Sequence, residues 1–123
     1  MSQTTITDIG TVGIPVSDQD KAAEFFVGTL GFEKRLDVRM GEGFRWVTVA
    51  APGASTSVAL IAGPDAGTET GIRFMVPDAE IEHTAMRQQG VEVGDLLRWP
   101  GVPPMFKFQD PDGNTFEIVE GSA

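Results

Sequence analysis

Polar and apolar residues alternate through TVGIPVSD, Thr11–Asp18, so that Val12, Ile14 and Val16 share one side of an extended segment. GIRFMVPD, Gly71–Asp78, repeats the pattern with Ile72, Phe74 and Val76. Period-two alternation of this kind predicts a strand with one buried face. Each stretch ends in an aspartate able to cap a helix by accepting a bond from a first-turn N–H. Helical spacing follows both times. Ala22, Phe25, Phe26 and Leu30 recur every three or four residues after Ser17 or Asp18, up to Gly31. In the second copy Ile81 and Ala85 are expected to face inward, up to Gly90. The two glycines suit the left-handed stop of a helix. The single histidine, His83, falls roughly 200° round the helix from Ile81, which predicts a solvent position.

The later strands also repeat. TSVALIAG, Thr56–Gly63, matches NTFEIVEG, Asn114–Gly121, in length, apolar phase and closing glycine, with Ala59 opposite Glu117. Phe32–Met40 and Phe44–Ala50 read as strands joined by Gly41-Glu42-Gly43, and Met105–Gln109 as the strand that enters the tight reversal Asp110–Asn114. Proline there fixes φ, and Gly-Asn tolerates the turn. Val91–Gly101 is irregular, and with Pro103-Pro104 it predicts a rim loop over Gly94–Pro104 carrying Trp99. The period of about sixty residues is too long for a solenoid. The chain therefore reads as a single α+β domain, a β-α-β-β-β unit written twice. The first spans about 9–62, the linker 63–70 and the second about 71–121.

Composition narrows the function. Eighteen acidic against nine basic residues give a net charge of −9, which argues against nucleic acid as a partner. No apolar run approaches the ~20 residues of a membrane span, and no signal peptide pattern is present. A cytoplasmic location is expected. The absence of cysteine excludes disulfide and thiolate chemistry.

Strand phase sorts the candidate site. If Val12, Ile14, Val16, Ile72, Phe74 and Val76 pack under the helices, with Val47, Val49, Phe106 and Phe108 as further core, the opposite faces carry the rest. Those are Thr11, Gly13 and Pro15; Ser57, Ala59 and Ile61; Gly71, Arg73 and Met75; Thr115, Glu117 and Val119; and Trp46, Thr48, Met105 and Lys107. Two sheets curved toward each other would line one cleft with these residues. Trp46 is its aromatic wall, Met75 and Met105 are soft contacts, and Arg73, Lys107 and Glu117 are the few polar anchors. Such a mixture suits a small-molecule pocket.

The doubled unit, with IPVSDQDKAAEFFVGTLGFEK (Ile14–Lys34) and FQDPDGNTFEIVE (Phe108–Glu120), resembles the vicinal oxygen chelate superfamily over about residues 9–120. That group includes glyoxalase I, bleomycin and fosfomycin resistance proteins and extradiol dioxygenases. The resemblance implies tandem βαβββ modules forming a curved mixed sheet around a cleft. It places the family's metal positions at Thr11, Ala59, Gly71 and Glu117, of which only Glu117 ligates in the usual way. No metal cofactor is expected, with a divalent ion as the alternative. The resemblance further implies a metal-independent binder of a drug or metabolite, like the bleomycin resistance proteins, with clefts at a homodimer interface. Trp46, Thr48, Arg73, Met75, Trp99, Met105, Lys107 and Glu117 are then the ligand contacts. Cationic ligands suit the overall charge, whereas Arg73 and Lys107 favour an anionic or phenolic one. An alternative is a metal-free enzyme in which Glu117 is the catalytic base and Arg73 or Lys107 stabilises an enolate. A metal-dependent glyoxalase, lyase or dioxygenase is a third reading.

Overall fold

The computed structural model describes residues 3–121. The first half contains β1 (Thr11–Val16), α1 (Gln19–Glu24), a π-helical turn (Phe25–Thr29), β2 (Glu33–Arg39), β3 (Arg45–Ala50) and β4 (Ser57–Ala62). The second contains β5 (Glu69–Val76), α2 (Ala79–Gln88), β6 (Glu92–Val93), β7 (Met105–Gln109) and β8 (Thr115–Glu120). Each half forms a four-stranded mixed sheet, in the orders β1-β4-β3-β2 and β5-β8-β7-β6. The outer strands β1 and β5 run parallel to β4 and β8, and the remaining pairs are antiparallel. These are the two tandem βαβββ modules.

The caps form where the aspartates stand. Asp18 accepts from the Lys21 N–H and Asp78 from the Ile81 N–H, both at 3.0 Å. Each such cap stabilises its helix by about 1 kcal/mol. Gly31, at φ +80°, reverses the chain after the first helix in a conformation that other residues resist. In β5 the pairing with β8 shifts register between Glu69 and Arg73, where Gly71 adopts φ +72°.

Several expectations are corrected. The first helix is not α-helical to Leu30. It widens into the π-helical turn, where the Leu30 N–H bonds to the Phe25 carbonyl. The inner face of α2 is Ala79 and Met86, with Glu82 and His83 half-buried; Ile81 is 68% exposed and Ala85 is exposed. His83 is therefore not a solvent side chain. Its Nε2 lies 2.8 Å from the Gly94 carbonyl, and its ring stands edge-on to Phe106 with centroids 4.8 Å apart. Taking Ile81 as the inner reference misplaced the whole helix face. The linker is shorter than expected because Glu69 and Thr70 already belong to β5. The stretch expected to be irregular from Val91 holds a short strand, β6, before the rim, and the rim makes a bridge between Leu97 and Met105.

Both sheets turn their helix-covered faces to one shared core. Phe26, fully buried in the π-helical turn, packs against Phe116 of β8 at 5.9 Å between centroids, and Phe32 against Phe74 at 5.5 Å. Burying one such ring stabilises the fold by about 2 kcal/mol. Val12, Ile14, Val47, Val49, Val58 and Leu60 meet Ile72, Phe74, Phe106, Phe108 and Ile118 in the same cluster. The opposite, open face of each sheet looks outward from this core.

Candidate functional site

Strand register orders the open face of the second sheet into rows. Arg73, Glu117 and Lys107 lie side by side across β5, β8 and β7. The next row is Met75, Val119 and Met105, extended by the Leu97 bridge. Arg73 Nε lies 3.7 Å from Glu117 Oε1; the Glu117 side chain is 23% exposed and that of Arg73 65%. Lys107 turns instead to Glu69, with Nζ 3.5 Å from Oε1. Two cations and two carboxylates thus form two pairs. Both pairs are long and solvated, so each holds its geometry only weakly.

The open face of the first sheet has another character. Trp46 pairs with Val38 and Thr48 with Leu36 across β3 and β2. Phe44, two residues before Trp46, stacks on it with centroids 6.4 Å apart and planes at 29°. Leu36, Val38, Phe44 and Ile61 are exposed, while Thr48 and Ala59 form a buried floor. On β2 and β3, strand periodicity had pointed to Trp46 and Thr48 alone. Leu36 and Val38 were given no face from the sequence; a bulge between Lys34 and Leu36 resets the phase of β2 and turns them to this side. Phe44 was legible from its i, i+2 spacing to Trp46.

The structure therefore brings Arg73, Met75, Met105, Lys107 and Glu117 onto one face and places Trp46 and Thr48 on the other sheet. Trp99 stands 59% exposed in the rim loop, which Arg98 ties to α2 through Glu80 at 3.4 Å. A groove of about 770 Å³ lies between the modules, but on their helix-covered sides, among Val12, Phe32, Val58, Ile72, Phe74 and Met86; Arg73 and Met75 reach its edge.

The expected metal positions offer a poor donor set. Ala59 and Gly71 have no side-chain donor, and the Thr11 hydroxyl is 3.0 Å from the Ser57 hydroxyl. Glu117 faces Arg73. Among the described residues no group of three or more His, Asp or Glu side chains gathers as metal ligands would, and one carboxylate does not hold a transition metal usefully.

A family model described as the glyoxalase/bleomycin resistance protein/dioxygenase superfamily matches residues 8–118. The chain belongs to this superfamily. Among solved structures, a superfamily member from Sphaerobacter thermophilus is 37% identical, with a TM-score of 0.91 over 96% of this chain and 100% of that one. TnmS3, an antibiotic binding protein from Streptomyces sp. CB03234, is 31% identical, with a TM-score of 0.87 over 98% of this chain and 100% of that one. The protein YetH of Bacillus subtilis is 35% identical over 94% of this chain and 99% of its own length. No helix among the described residues is long and apolar enough to cross a membrane.

Proposed function

We propose that this superfamily member is a cytoplasmic binder of a small drug or metabolite that works without a metal ion, in a cleft completed by a second copy of the chain. The observation that carries this reading is the outward direction of the two open faces. One is aromatic and aliphatic, the other is a charge-paired row beside a methionine row, and a single chain keeps them apart. In a symmetric dimer the first face of one copy meets the second face of the other, giving two equivalent clefts. Trp46 and Thr48 then come from one subunit and Arg73, Met75, Met105, Lys107 and Glu117 from its partner, with Trp99 at the rim.

The likeness to an antibiotic binding protein supports sequestration of a ligand, and with it a resistance role. The donor set at Thr11, Ala59, Gly71 and Glu117 supports metal independence. The Arg73 contact gives Glu117 a place in an ion pair, which favours binding over proton abstraction.

The test is a small-molecule library followed by tryptophan fluorescence, with sedimentation to give the assembly. A ligand that binds the dimer, unaffected by chelator, is expected. A monomer that binds nothing across the library overturns the proposal.

A further inference from the structure

We infer that the ligand is an uncharged, planar molecule of two or three fused rings with hydrogen-bond acceptors along one edge. This rests on the composite cleft proposed above and adds the chemical class that the cleft selects.

Size and flatness follow from the first sheet. Val38 pairs with Trp46 and Ile61 with Pro15; Trp46 and Ile61 each stand two residues beyond the paired Thr48 and Ala59 on the same face, where Gln19 Nε2 bridges the two strands through the Arg45 and Leu60 carbonyls. Val38, Trp46, Ile61 and Pro15 thus give this face an apolar strip across four strands, at least about 14 Å wide. That is room for a flat system of two or three rings. On this face β1, β3 and β4 contribute no charged side chain. The Phe44–Trp46 stack leaves Phe44 43% exposed, and aromatic faces are covered best by another flat π-system.

Charge follows from the second sheet. Its Met75–Val119–Met105 row gives the other side of an apolar slot, since thioethers adapt to ring edges and faces. Beside it, the Arg73–Glu117 and Lys107–Glu69 pairs balance each other. An ion entering the slot has no unpaired counter-charge, and an uncompensated charge is costly to desolvate. The Arg73–Glu117 contact, Nε to Oε1 at 3.7 Å, is longer than a hydrogen bond, so the guanidinium can donate to a carbonyl or hydroxyl at the ligand edge.

The experiment uses three probes of one size on the full-length protein, with titration calorimetry at neutral pH: acridone, cationic aminoacridine and an anionic acridone carboxylate. Acridone is expected to bind about tenfold more tightly than either ion. Trp46→Ala should weaken it about tenfold while Trp46→Phe retains most of the affinity. Arg73→Gln, which leaves Glu117 unpaired, should move the preference toward aminoacridine by about tenfold. Tighter binding of either ion, a ranking that ignores Arg73→Gln, or an affinity that ignores Trp46→Ala overturns the inference. So does failure of all three probes. If the broad library still yields a ligand of another shape or charge, the binding function stands and only the ligand class falls.

Discussion

Asn114 joins the two ends of the protein: its Nδ2 donates to the carbonyl of Pro15, ninety-nine positions earlier, at 2.8 Å. The same amide donates to Asp110 Oδ2 at 2.9 Å, and its oxygen accepts from the Gly67 and Thr68 N–H groups at 2.8 and 3.0 Å. The side chain is fully buried, and its bond to Asp110 lies where water does not readily replace it. Asn114→Ala is expected to destabilise the protein by about 3 kcal/mol. Urea unfolding measures it; a loss near zero would show that the clasp does not hold the modules together.

Asp110, in the same turn, sets a pH signature. Burial pushes its carboxyl above the ordinary value of 3.8, against the opposing bonds from Asn114 and Asp112. The folded state therefore holds this proton at pH values where the unfolded chain has released it. By linkage, its contribution to stability falls as pH rises from about 3.8 through the raised folded value. Asp37 has the opposite sign: the bonds from Arg45 and then Lys34 hold its carboxyl well below the usual range. Its contribution is present above 3.8 and is lost as pH falls through the depressed folded value. Asp110→Asn should be less stable than the parent, but the gap between them should narrow as pH rises through the Asp110 window. Parallel urea curves from acid to neutral pH check this, and a constant gap would contradict it.

His83 anchors the start of the rim loop. Replacing it by phenylalanine keeps a ring beside Phe106 and removes the bond to the Gly94 carbonyl. A loss of about 1 kcal/mol is expected, together with faster amide exchange across residues 94–104. Unchanged exchange there would mean that the loop is held without His83, by contacts such as Arg98–Glu80, Leu97–Met105 and Gly94–Lys107.

Subunit mixing tests the composite cleft. Trp46→Ala spoils one wall, and Met75→Asp, at a position 63% exposed, puts a charge in the other. Each homodimer should bind more weakly than the parent, by about tenfold for Trp46→Ala. Random exchange makes about half the dimers mixed, and each mixed dimer carries one intact cleft of two, so about a quarter of the sites should recover. No recovery would place the whole site within one chain.

The repeat and the strand phases were legible because a period of two is written directly in residue type. That is why Arg73, Glu117 and Lys107 could be assigned to one face from the sequence, while their alignment in one row came from the register. Alternation divides a sheet into two faces but does not say what each face meets, so the packing of helix-covered sides against each other was not legible. The π-helical turn and the β2 bulge were hidden for a related reason. One extra residue shifts phase without a composition of its own, and in β2 it turns Leu36 and Val38 to the side of Thr48 and Trp46. On α2, exposed Ile81 imitated a core residue while Ala79 and Met86 carried the packing.

The contact between Phe26 and Phe116 has a consequence for synthesis on the ribosome. The first module leaves the exit tunnel with its central ring uncovered, because the ring that seals it lies ninety positions later in the chain. Pairings of such long sequence separation form slowly, and exposed apolar surface in the interval invites association with other nascent chains. A chain released before β8 is complete would therefore lose more than its last strand: the first module would be left with its core open to water.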